Sequence, residues 1–391
     1  MRNGLDISGA SELVHEIGGK PVEAVIDFNA SAVPGLSGAE VSIRTAHHGT
    51  QRMARSFLIP FTEDSAHLLG GLSAYEAAVA ALGACVLITH VHGYSARGVT
   101  ITSLRVTVTA AVEVDEHGRW VGGETALHDV RYLVEADCDG SADSVSEVSQ
   151  FVTCFSPNHR AFLDEGNYRL AAMAVRPDGT PDAVELDQVA PAPAGVGGTR
   201  LDLTAELTWE YGVQATATTT FAPGGELRRE RPALVVDQSK QMLGLDRGPN
   251  PQELLLAAIS ADLTHQVRAL AAEHGITLAG VEVESSGRLD IRGMLNVSPD
   301  IPARFHNLHF LVRADTDAAL ADLTDLVRQA AARNVVLATL LRANSIQVDL
   351  RSPAGPLTSF TSNADHVADF LAELARKQAA IAANNALSGQ R

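Results

Sequence analysis

The sequence predicts an α+β protein made of two copies of one unit. Three observations carry this. The chain has 391 residues, enough for about two or three domains. It is 46% hydrophobic and 20% charged, enough apolar matter to build real cores. And it repeats itself: residues 71–106 lie without gaps on 248–283, a spacing of 177. Glu76 meets Glu253, Ala80-Ala81 meets Ala257-Ala258, and Gly98 meets Gly275. One further residue of offset puts 128–134 on 306–312, and Tyr168 and Leu170 on Ile346 and Val348.

Each copy reads in the same order. After an N-terminal extension, 1–34, the first copy spans 35–175 and the second 201–352. A hairpin comes first, near 40–46 and 52–61, and near 214–221 and 227–236. A long helix follows, about 73–97 and 251–274, stopped by Gly98 or Gly275 where a left-handed residue ends a helix. Alternating strands come next, Leu104-x-Val106-x-Val108 and Val281-x-Val283, with the period of two that a half-buried strand requires. A further strand (130–135; 308–313) leads to an amphipathic helix (143–155; 317–334), and a last strand closes each copy. Between the copies, 176–200 is rich in Pro, Gly, Ala and Asp and reads as a linker. The segment 353–391 reads as a Pro/Gly/Ser/Thr stretch, then a helix near 364–385, with the end from Ser388 to Arg391 frayed.

A net charge of −17 argues against a phosphate-binding surface, so neither nucleic acid nor an anionic membrane is expected as a partner. Three cysteines, Cys85, Cys138 and Cys154, are too few for a disulfide scaffold, and residues 1–6 lack the apolar core of a signal peptide. The expectation is a cytoplasmic protein. Residues 77–96 carry no formal charge over a length that could span a bilayer. The matching stretch of the second copy holds Asp262, His265, Arg268 and Glu273, so both are read as helices buried in protein. No CxxC pair, HExxH, P-loop or dinucleotide fingerprint occurs, so no metal and no cofactor are expected.

The second long helix opens Gly248-Pro249-Asn250-Pro251-Gln252-Glu253-Leu254-Leu255-Leu256-Ala257-Ala258, and the first contains Ala80-Ala81-Leu82-Gly83-Ala84-Cys85. These resemble the OsmC/Ohr family, whose central helix opens Gly-x-Asn-Pro-Glu/Gln-Glu-Leu and runs on to Ala-Ala-Cys. The resemblance implies two OsmC-like domains forming an intrachain pseudo-dimer, with two central buried helices flanked by β-sheets. The chain would then act as a monomer or as a homodimer of such units.

The family's best-known activity is reduction of organic hydroperoxides by a cysteine thiolate, with a thiol as reductant and a small hydrophobic substrate. Cys85 falls at the position of the reactive cysteine. The resolving cysteine falls on Ser156, in Ser156-Pro157-Asn158, with Cys154 two residues earlier as its stand-in. The helix-opening Glu falls on Tyr75, beside Glu76, and the activating arginine of the hairpin on Arg55. Arg55 alternates with Met53, Phe57 and Ile59, which puts its charge on an apolar face in need of a partner. In the second copy Asp262 replaces the cysteine, Asn334 stands at the resolving position, and Gln252 at the Glu. Asp262 and His265 share a helix face and form a candidate acid–base pair. The expected function is a cysteine-based peroxidase for hydrophobic hydroperoxides. The alternatives are a hydrolase, cyclase or isomerase of a hydrophobic metabolite, or a small-molecule-binding protein using the cleft between the copies.

Overall fold

A computed structural model describes residues 1–62, 71–114, 126–192, 198–223, 229–298, 300–353 and 355–388. The first half runs α1 (Ile7–Gly19), β1 (Val25–Pro34), β2 (Ala39–His48), β3 (Gln51–Met53), β4 (Phe57–Pro60), α2 (Ala74–Ala96), β5 (Ile101–Val114), β6 (His128–Cys138), α3 (Ala142–Phe155), α4 (Pro157–Leu163), β7 (Tyr168–Val175) and β8 (Pro181–Leu186). The second runs β9 (Thr199–Tyr211), β10 (Gln214–Pro223), β11 (Arg229–Glu230), β12 (Leu234–Val236), α5 (Pro251–His274), β13 (Gly280–Asp290), α6 (Ile291–Met294), β14 (His306–Asp315), α7 (Leu320–Arg333), α8 (Val335–Leu340), β15 (Ile346–Ser352), β16 (Gly355–Ser362) and α9 (Ala364–Ser388). The fold is α+β with two mixed sheets.

Each sheet draws on both halves. One has the order β3-β2-β1-β13-β14-β7-β8, the other β11-β10-β9-β5-β6-β15-β16. The hairpin β1–β2 thus lies against β13, in register from Val25 opposite Asp290 to Ala32 opposite Val283. The hairpin β9–β10 lies against β5, from Arg105 opposite Thr208 to Val114 opposite Thr199. Two parallel pairings, β14 with β7 and β15 with β6, continue the two sheets on the same plan.

The long helices lie where this plan requires apolar surface all round. α2 packs on β5, β9 and β10, α5 packs on β1, β2 and β13, and the two helices pack on each other. Every residue from Tyr75 to Val91 is buried, as a helix apolar on all sides must be. α2 is long and apolar enough to cross a membrane, and its whole apolar stretch is buried inside the protein. Both helices begin with a capping box: Ser73 with Glu76, and Asn250 with Glu253. They stop at Gly98 and Gly275, whose φ angles are +76° and +66°. Gly83 permits the close approach of α2 to its sheet, because a Cβ there would lie 2.3 Å from Leu207 Cδ2 and 2.8 Å from Val108 Cγ2.

Three regions differ from the sequence reading. The N-terminal extension is structured, with α1 and the whole of β1. β1 buries Ile26, Phe28, Ala30 and Ala32 with period two, and β9 buries Leu201, Leu203, Ala205 and Leu207 likewise. The expected hairpins are present, β2 with β3 and β4, and β10 with β11 and β12, and each is extended by a strand that was not expected, β1 beside β2 and β9 beside β10. The expected linker contains β8, paired with β7, and the expected loop after Ser352 is β16, paired with β15. Of the expected second hairpin arm, residues 227 and 228 lie outside the described residues, as do Gly389, Gln390 and Arg391 at the end of the chain.

Candidate active site

Cys85 stands in the middle of α2 and is 3% exposed. Its sulfur accepts three hydrogen bonds: from Ser156 Oγ at 3.2 Å, from the Asn158 backbone N–H at 3.3 Å, and from Gln252 Nε2 at 3.4 Å. The first two come from the break between α3 and α4, where Pro157 opens a new short helix and leaves the next amide free to point at the thiol. The third comes from the opening turn of α5, in the other half of the chain. Burial pushes the Cys85 thiol above its ordinary range, while the three donors pull the other way. Donors aimed at a sulfur favour its thiolate form, so this is a desolvated thiol in a cradle suited to negative charge.

Asn158 locks the cradle. Its side-chain amide donates to Ala81 O at 3.0 Å on α2 and to Pro251 O at 2.9 Å on α5, and its Oδ1 accepts from Gln252 at 3.1 Å. The single side chain therefore ties both long helices and the Gln252 donor together around the sulfur.

The position that the 177-residue offset aligns with Cys85 carries no sulfur. Asp262, on α5, is 2% exposed and accepts from the Val335 backbone N–H at 2.8 Å, at the break between α7 and α8, and from Gln266 Nε2 at 3.2 Å. Burial pushes its carboxyl up to about 6, opposed first by His265. Tyr75 from the opening of α2 joins Asp262 and His265 around a cavity of about 30 Å³. The opening residue of each long helix thus lies at the centre of the other: Gln252 at Cys85, Tyr75 at Asp262. The reason is length. Ten residues of helix span about 15 Å, so a helix's own opening residue cannot reach its own centre, whereas the crossing partner's can.

Arg55 is held elsewhere. Its guanidinium donates to Glu253 at 3.1 and 3.0 Å and to Gly248 O at 2.8 Å, and it pairs with Asp246. Glu76 has a matching partner in Arg231, at 3.3 Å, and also accepts from Thr219. Each pair joins the hairpin of one half to the long helix of the other. Arg55 finds the partner that its apolar face demanded, and that partner is a structural carboxylate rather than the thiol. Among the described residues no guanidinium hydrogen-bonds the Cys85 sulfur.

Cys154 sits one turn from the cradle in a different neighbourhood. It is a free, buried thiol between Thr153 and Arg160, and burial pushes it up to about 11. Ser156, not Cys154, faces Cys85. Cys138 is free at the end of β6. His159 bonds Tyr132 and Ser362, and His90 bonds Val86 O and Ser149; burial pushes them down to about 3 and about 4, so both are neutral and structural. Among the described residues no three His, Cys, Asp or Glu side chains gather to hold a metal. The residues the sequence reading did not assign to the site are Asn158 and the amide of Gln252 as partner of Cys85. The only signal for them was the offset that aligns Gln252 with Tyr75.

No curated protein matches the chain. Residues 244–351, from the approach to α5 through most of β15, match the family model described as OsmC-like protein.

Proposed function

We propose that the chain is an OsmC-type thiol peroxidase acting on hydrophobic organic hydroperoxides, an intrachain pseudo-dimer of duplicated halves with one thiol centre at Cys85. The observation that carries the reading is the Cys85 sulfur held by three hydrogen-bond donors drawn from both halves. The pseudo-dimer is supported by two sheets of one plan and by the reciprocal placement of Gln252 and Tyr75.

In the first step the Cys85 thiolate attacks the peroxide oxygen, the O–O bond breaks, and sulfur is oxidised to a sulfenic acid. The leaving alkoxide takes a proton and departs as an alcohol. Ser156 occupies the place of a resolving thiol, so recovery needs an external thiol reductant. One thiol attacks the sulfenic sulfur and releases water; a second displaces Cys85 and carries away a disulfide. The Asp262 position carries a carboxylate in place of the thiol, so it has no part in this thiol chemistry.

Titrating free thiols after exposure to cumene hydroperoxide tests the reading. One of the three thiols should be lost per chain; Cys85→Ser should abolish the loss and Cys154→Ser should leave it intact. Unaltered thiols would end the proposal. Because burial raises the Cys85 pKa, the reaction rate should climb about tenfold per pH unit through neutrality, following the thiolate fraction. A flat pH profile would contradict a protonated resting thiol.

A further inference from the structure

A thiol that is 3% exposed needs a way in for its substrate. Of the residues around the Cys85 sulfur, Ser156 and Asn158 are sealed completely and Gln252 almost so. Thr89 differs. It lies one helical turn, about 6 Å, beyond Cys85 on α2 and is 6% exposed. Its hydroxyl donates to Cys85 O at 2.7 Å and is also among the groups that draw the thiol's pKa down, so it stands beside the sulfur. The same residue lines a cavity of about 370 Å³, within the range of small-molecule pockets.

That cavity is apolar and uncharged. Phe151 of α3, Leu243 and Met294 from the second half, and Ala10 and Leu13 of α1 all line it, and no Asp, Glu, Lys or Arg does. At roughly 30 Å³ per water-sized group it has room for about a dozen non-hydrogen atoms. An ion there would be buried without a counter-charge, so the space suits an uncharged group.

α1 is a fixed wall of this space. Just before it, the Asn3 side chain donates to Ser95 Oγ at 3.0 Å and to Val99 O at 2.9 Å, and accepts from the Ile101 N–H at 2.9 Å. Just after it, Glu23 accepts from the Thr50 N–H at 3.1 Å and from the Thr50 hydroxyl at 2.9 Å. The described element that precedes β9 in the other half is β8, a strand, so α1 has no counterpart there among the described residues.

Resting on the thiol peroxidase reading above, we propose that this cavity receives the organic group of the hydroperoxide and that α1 sets which group fits. The favoured substrate carries a compact, uncharged apolar group of up to about a dozen non-hydrogen atoms, with its peroxide oxygens reaching past Thr89 to the Cys85 sulfur.

The test is the rate at which the reduced full chain loses the Cys85 thiol to each of two tertiary hydroperoxides. Cumene hydroperoxide carries a phenyl-bearing group that fills most of the cavity, and tert-butyl hydroperoxide leaves most of it empty. Cumene hydroperoxide should react at least about tenfold faster, the discrimination a fitted apolar pocket gives. Ala10→Phe, which adds a ring to the cavity from α1, should reduce that ratio about tenfold, whereas a general loss of structure would slow both reactions alike. In the native chain 2-phenyl-2-propanol, the alcohol that cumene hydroperoxide leaves behind, should slow the cumene hydroperoxide reaction competitively. Equal rates for the two hydroperoxides, a ratio indifferent to Ala10→Phe, or no protection by the alcohol would each overturn this inference while the thiol chemistry stands. Thiols that neither hydroperoxide alters would end both readings. Should Ala10→Phe fail to fold, the alcohol competition in the native chain decides.

Discussion

Asp262 links protonation to folding. An unfolded aspartate loses its proton near 3.8, while the folded one holds it to about 6. Between those values the folded state binds more protons, so stability falls as pH rises through the window, by about 3 kcal/mol in all. Asp262→Asn keeps an oxygen for the Val335 amide and removes the charge, so urea unfolding of this variant should lose most of its decline between pH 4 and 6.5. An unchanged decline would assign it to other groups. The Arg55–Glu253 pair is a different case, a buried ion pair whose worth shows when one partner is removed. Both side chains are about 2% exposed or less, and removing one partner strands the other charge, so Arg55→Ala should cost about 3–5 kcal/mol in chemical denaturation. At this scale Cys85, Ser156 and Asp262 were legible from the helix motif and the repeat offset. The role of Arg55 was legible only in part: period two said that it needed a partner, but not which of two buried charges would meet it. Gln252 lies 167 residues from Cys85, and no local pattern reports a contact of that kind.

Among the elements, α2 was the plainest to read, and its strictest requirement sits at one residue. Alanine favours helix over glycine by about 1 kcal/mol, yet Gly83→Ala should destabilise by about 1–3 kcal/mol, because the added methyl meets Leu207 and Val108. A raised melting temperature for this variant would show that the β5–β9 surface yields. β1, β8, β9 and β16 were harder. β8 and β16 are short or lie in stretches rich in Pro, Gly or Ser, whereas β1 and β9 carry a period-two pattern in segments read as extension or linker; each pairs with a neighbour, β8 with β7, β16 with β15, β1 with β13 and β9 with β5. Strand formation depends on partners that sequence order does not reveal.

Across the whole molecule, the sheets interleave the two halves so fully that the one hydrophobic core belongs to neither half. Calorimetry should record one cooperative unfolding transition, and cutting the chain between Leu186 and Thr199 should leave fragments that stay associated until both unfold. Two resolved transitions, or a stable isolated half, would contradict the topology. The α+β class and the repeated element order were legible because hydrophobic periodicity survives where identity does not. The crossing of hairpins between the sheets was not, since either pairing buries the same residues.

On the duplication proposed above, joining both thiol-equivalent positions in one polypeptide also changes what mutation can do. A symmetric assembly of identical subunits must accept every replacement twice, so damage to one centre is damage to both. Here a carboxylate at 262 and a sulfur at 85 are encoded separately. One position can then drift or specialise while the other is maintained, and the helix that carries Asp262 still contributes Gln252 to the Cys85 sulfur.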